Sequence, residues 1–143
     1  MIKIKRFDYT DHELFSIAAQ IRTQVFVEEQ NVPKELELDE FESQAVHFLL
    51  YLNTEPVAAA RYRILNKKAK FERYAVKREW RKQGFGSYIL REMIKDVKHS
   101  VEVVYLHAQE SAVTFYQKHG FQIVGDKFVE ANIVHYKMEY IIR

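Results

Sequence analysis

The residues best suited to chemistry form one short run, Arg81-Lys82-Gln83-Gly84-Phe85-Gly86. Glycines at alternate positions let backbone come close to a bulky anion. The flanking patterns predict a strand before the run and a helix after it. A helix start offers unpaired N–H groups and the positive end of a dipole, so it binds phosphate. Arg78, Arg81 and Lys82 add positive charge beside it. The run is not a P-loop, because no Gly-Lys-Ser/Thr follows. It is not a dinucleotide fingerprint either, because Ile89 stands where the third glycine belongs. A bland reading remains alongside, in which the glycines serve only the packing of a helix start.

The elements around the run can be read from periodicity. Ile2 and Ile4 alternate with lysines, as in an edge strand. Leu14, Ile17, Ala18, Ile21 and Val25 recur at helical spacing, which predicts a helix over residues 12–29 capped by Thr10 or Asp11. Residues 45–52 are almost all apolar and predict a strand buried on both faces. Strands over 57–65 and 70–76 complete an antiparallel meander, with turns at 53–56 and 66–68. Phe85, Ile89, Leu90, Met93, Ile94 and Val97 line one face of a helix that ends near Lys98. A strand over 101–107 follows, then a short helix over 111–119 stopped by Gly120. Strands over 121–124 and 133–142 end the chain. The order β-α-βββ-α-β-α-ββ makes an α+β domain spanning residues 1–143.

Composition narrows the chemistry. The chain has 143 residues, 48% of them hydrophobic, which suits one core without covalent staples. It has no cysteine, so disulfides, thiolate metal sites and a cysteine acyl-enzyme are excluded. The net charge of +2 is too small to argue for nucleic acid. The longest apolar run, residues 48–52, is too short to span a bilayer, and no signal-peptide pattern is seen. A cytoplasmic protein with neither membrane nor nucleic-acid partner is expected. The local charge is more informative. Lys67, Lys68, Lys70, Arg73, Lys77, Arg78, Arg81 and Lys82 form a basic stretch. Glu35, Glu37, Asp39, Glu40 and Glu42 form an acidic one, which either draws a cationic amine or is a solvated loop.

Arg81-x-x-Gly84-x-Gly86 after a strand resembles the acetyl-CoA-binding motif of the GNAT superfamily of N-acyltransferases, R/Q-x-x-G-x-G/A. Ala112-Val113-Thr114-Phe115-Tyr116-Gln117-Lys118-His119-Gly120-Phe121 resembles the family's second signature. Arg22-x-x-Val25-Phe26-x-x-Glu29-Gln30-x-x-Pro33, with Asp39 and His47 beyond it, resembles the ElaA-like branch. So do Leu106-His107-Ala108-Gln109 and the strand pair near Glu130 and His135, although Ala131-Asn132 stands where that branch usually has a glycine.

The resemblance implies a mixed, mainly antiparallel central sheet, splayed in the middle and flanked by three or four helices. It implies acetyl-CoA as co-substrate, with no metal, and transfer to an amine on a small molecule or protein. Backbone of Tyr74, Ala75 and Val76 would pair with the pantetheine arm. Amides of Arg81, Lys82, Gln83, Gly84, Phe85, Gly86 and Ser87 would hold the pyrophosphate, with Arg78, Arg81 or Lys82 side chains meeting the adenosine phosphates. Tyr116 takes the general-acid position. His107 and Glu72 are the candidates for the base, each with a plain reading as a strand-end or solvent-facing residue. Arg22, Glu28 and His135 are candidates for the acceptor site; alternation alone turns His135 to solvent. Trp80 is assigned no chemistry. A non-catalytic acyl-CoA-binding module on the same fold is the alternative, and a homodimer through exposed strand edges stays open.

Overall fold

The computed structural model describes residues 1–142. Strand β1 (Ile2–Phe7) leads into helix α1 (His12–Arg22), whose first turn is capped by the Asp11 carboxylate accepting from the Leu14 amide at 3.1 Å. The helix does not stop at Arg22. It loosens into π-helical turns over Thr23–Glu29, and a short helix α2 (Lys34–Glu37) follows Pro33. Strands β2 (Val46–Leu52), β3 (Glu55–Leu65) and β4 (Lys68–Val76) form the expected antiparallel meander. Helix α3 (Phe85–Val97), strand β5 (Val103–Gln109) and helix α4 (Val113–Lys118) come next. Strands β6 (Gln122–Ile123), β7 (Phe128–Glu130) and β8 (Ile133–Ile141) end the fold.

The sheet runs β1-β2-β3-β4-β5-β8-β6, with β7 also on β8, and only β4–β5 is parallel. Both faces are covered. Leu50, Val57, Ile89, Leu90, Met93 and Val104 belong to the core under α3 and α4. Ala18, Ile21, Val25, Leu49 and Ala59 belong to the core under α1. Leu49 and Leu50 face opposite ways and are both 0% exposed. This is why residues 45–52 read as almost entirely apolar. Burying each such side chain contributes about 1.5–3 kcal/mol.

The sheet splits where its one parallel pair begins. Strand β4 pairs with β5 only from Lys68 with Val103 to Phe71 with Leu106. Just beyond, the register of β4 against β3 slips, and Arg73 takes a left-handed φ of 52°. A bulge bends its strand and increases its twist. Strand β4 therefore veers from β5, and the last residues of both strands face a gap. This is the splayed sheet the resemblance implied.

Candidate active site

The gap opens into a cavity of about 840 Å³. Its walls are Tyr74–Val76 of β4, Leu106–Gln109 of β5, the start of α3, Phe115 and Tyr116 of α4, and Val25, Phe26 and Gln30 of the first helical segment. Glu72, His107, Tyr116 and His135 all line it, as do Arg81, Lys82, Gly84, Gly86 and Ser87.

The start of α3 has the features of an anion site. Gly84 sits at the N-cap with φ 87°, and no side chain caps the helix. Tyr88 is the first amide to bond back, to the Gly84 carbonyl at 3.0 Å. The N–H groups of Phe85, Gly86 and Ser87 therefore have no partner within the helix. No acid lies in this first turn to compete for them. A Cβ on Gly84 would meet nothing within 4 Å, so the φ requires glycine there, not crowding. At Gly86 the reason is space. A Cβ would lie 3.2 Å from the Tyr74 hydroxyl and 3.5 Å from Phe115 Cζ. The Tyr74 hydroxyl also donates to the Gly86 carbonyl, which fixes this helix start to β4.

The side chains of this loop divide sharply. Arg81 Nε donates to the Val76 carbonyl at 2.9 Å, and its other two nitrogens reach Glu29 at 2.9 and 2.7 Å. Its guanidinium is thus committed within the fold, which corrects its expected use on the adenosine phosphates. Lys82 and Arg78 are exposed and make no ion pair among the described residues, so they are the free cations. Gln83 points away, with its amide 3.3 Å from the Glu79 carbonyl. Phe85 is buried against Trp80, with ring centroids 6.1 Å apart. Only the backbone of these two residues remains available.

Tyr116 is buried, with its ring edge-on to Tyr74 at 5.9 Å and to Phe121 at 5.7 Å. Its hydroxyl takes no hydrogen-bond partner among the described residues. Burial pushes this phenol well above its ordinary range, so it keeps its proton through neutral pH. His107 Nδ1 lies 3.3 Å from a Glu130 carboxylate oxygen, and the ring stands edge-on to Phe128 at 5.0 Å. His135 is buried, which corrects the solvent-facing reading from alternation. The reason is β7, which covers it: Phe128 pairs with His135 and stacks on its ring at 5.8 Å. His135 Nδ1 donates to the Ile133 carbonyl at 2.7 Å.

Three other expectations are corrected. Glu72 accepts from Arg63 at 2.6 Å and lies 3.3 Å from Arg61 and 3.5 Å from Lys70. Burial alone would raise its carboxyl, but the Arg63 hydrogen bond and the surrounding cations outweigh that and hold it below the usual carboxylate range. A carboxylate stabilised in its charged form is a poor base. Arg22 is 1% exposed and stands outside the cavity, clamped by Glu37 at 2.6 Å and Glu42 at 2.8 Å. Glu28 is exposed in a separate surface depression with Ser16, Gln20 and Gln24. The acidic stretch is likewise mostly internal machinery. Glu37 and Glu42 hold Arg22, while Asp39 holds Arg61 and Arg73, each at 2.9 Å.

Sequence reasoning missed two contacts across the cavity. Gln109 donates to Gln30 at 2.7 Å, joining β5 to the π-helical segment. Both glutamines lie in the stretches that carried the ElaA-like resemblance, so the signal was present without the pairing. The other contact is Glu130 with His107, hidden because β7 is only three residues long.

Known proteins supply the context. A family model described as an acetyltransferase (GNAT) domain matches residues 6–142. The Bacillus subtilis protein YjcF, described as an uncharacterized N-acetyltransferase, is 37% identical over 130 residues, covering 90% of this chain and 93% of that protein. The crystal structure of Escherichia coli ElaA superposes with a TM-score of 0.86 at 27% identity, covering 98% of this chain and 99% of that one. The PaiA N-acetyltransferase of Thermoplasma acidophilum, solved in complex with coenzyme A, shares the fold at a TM-score of 0.70 and 17% identity, covering 99% of both chains.

Proposed function

The chain belongs to the GNAT acetyltransferase family, in its ElaA-like branch, and on that premise we propose that it transfers an acetyl group from acetyl-CoA to a primary amine. One observation carries the reading. The uncapped glycine start of α3 opens onto the same cavity as the Tyr116 hydroxyl and the His107 ring. Free amides from Phe85 to Ser87 suit a pyrophosphate, with Lys82 at the cavity wall and Arg78 on the exposed loop outside it. The ends of β4 and β5, which do not pair with each other beyond Phe71 and Leu106, suit an extended arm carrying amides, such as pantetheine. The coenzyme A held by the PaiA structure fits this use of the shared fold.

Acetyl-CoA supplies the acyl thioester. Both substrates meet in one ternary complex and the amine attacks the thioester directly; the absence of cysteine removes the thiol acyl-enzyme from the alternatives. His107 Nε2 takes a proton from the incoming ammonium, since an alkylammonium with pKa near ~10.4 is not a nucleophile. The freed nitrogen attacks the thioester carbon, and the carbon–sulfur bond breaks. Tyr116 gives its phenolic proton to the departing sulfur. The phenolate regains a proton from the nitrogen that has become an amide. The acceptor enters between the first helical segment and the β7–β8 hairpin, where Phe26 and His135 line the cavity.

Thiol release from acetyl-CoA, measured with a panel of primary amines, tests this reading. Release that depends on an amine is expected. CoA binding with no release for any amine would instead make the protein a binding module.

A further inference from the structure

We propose that Glu130 is the positioning residue of the base: its carboxylate, on the β7–β8 hairpin, fixes the His107 ring so that Nε2 faces the cavity. The proposal rests on the reading of His107 as the proton acceptor. A carboxylate oxygen can only accept, so His107 Nδ1, 3.3 Å away, carries the hydrogen. Nε2 is then the bare lone pair. His135 obeys the same rule, since its Nδ1 faces the Ile133 carbonyl. Phe128 stands between the two imidazoles, edge-on to His107 at 5.0 Å and stacked on His135 at 5.8 Å.

The hairpin is shaped to deliver this contact. Glu130 pairs with Ile133 across the two-residue turn Ala131-Asn132, with φ of 50° and 63°. Both values are left-handed, as a type I′ turn demands, and an alanine adopts them less readily than a glycine. Ala131 also lines the cavity beside Glu130. Stability does not explain the contact, because the Glu130 side chain is 52% exposed and exposed pairs contribute little. Other charges near the pair are Lys70 on β4 and His135 on β8, while Lys137 lies over the Tyr105 ring.

A double-mutant cycle on the full chain tests this, using Glu130→Ala, His107→Ala and the pair, because a glutamine oxygen could still accept from Nδ1. Glu130→Ala is expected to lower kcat about tenfold to a hundredfold, with KM for acetyl-CoA and thermal midpoint unchanged. In the His107→Ala background the same change is expected to do nothing more. Equal losses in both backgrounds, seen in KM for the amine, would mean that Glu130 meets the acceptor directly and would overturn the proposal. Full kcat in Glu130→Ala alone would overturn it while sparing the His107 reading. Full kcat in His107→Ala would overturn both.

Discussion

At the scale of single residues, the two glycines of the loop do different work, and substitutions should separate them. Gly84→Ala forces a left-handed φ on an alanine, which costs about 1–2 kcal/mol. The added methyl points into open space where the pyrophosphate would lie, so CoA affinity should fall far more than stability. Calorimetric titration of the folded variant checks this; wild-type affinity would place the phosphates elsewhere. Tyr116→Phe should keep CoA affinity and lower kcat roughly 10²-fold, the usual scale for a proton donor. Turnover unchanged across the pH range would remove Tyr116 from the mechanism. Arg22→Met should act on stability alone. It leaves buried Glu37 with only Arg73 at 3.8 Å, while Glu42 keeps Arg61 at 2.8 Å; removing one partner of a buried pair costs about 3–5 kcal/mol, and a sharply lower thermal midpoint is the readout. Sequence alone could not distinguish such an arginine from an acceptor ligand. Its partners are 15 and 20 residues away and are brought to it only by the turn after Pro33.

At the scale of elements, strands and helices with strong periodicity were legible, because each buries one clear face. The amphipathic α3 and the doubly buried β2 are the best cases. The π-helical turns were not legible, since Val25 and Phe26 continue the apolar pattern while only the backbone bonding changes. Those turns carry Glu29 and lead into Gln30, one bound to Arg81 and the other to Gln109. The segment is therefore tied to both the phosphate loop and β5. Glu29→Gln should loosen Arg81 and weaken CoA binding several-fold without unfolding the chain, because the pair is partly exposed. Titration with CoA checks it, and unchanged affinity would mean that the loop holds its shape without this tie. Strand β7 was legible only through the resemblance, in the strand pair near Glu130 and His135. Three residues give no period to read, and its worth lies in covering His135 and carrying Glu130.

At the scale of the whole molecule, the splayed sheet and its cavity followed from the family resemblance, not from periodicity. The charge layer between α1, α2 and the sheet was invisible in the net charge of +2. It should be visible in pH dependence. For Asp39, Glu42 and Glu72, burial works to raise the carboxyl, but arginine partners outweigh it and hold each below its ordinary range. Such groups stabilise above their unfolded values and lose that contribution as pH falls through the lower folded ones. His47 is held neutral by burial, so its contribution starts to fall below about pH 6.5, the ordinary histidine value. Stability should therefore decline on acidification in two stages, one below about pH 6.5 and a steeper one below about pH 4.5. Thermal midpoints from pH 7 down to about pH 2 check it; a flat midpoint between pH 6.5 and 4.5 would contradict the buried neutral His47, and a flat one below that would contradict the assigned ion pairs. The central claim concerns the cavity between β4 and β5, and calorimetric titration with acetyl-CoA and CoA tests it most directly. Saturable binding of both is expected, lost in Gly84→Ala. A folded protein that binds neither would contradict it.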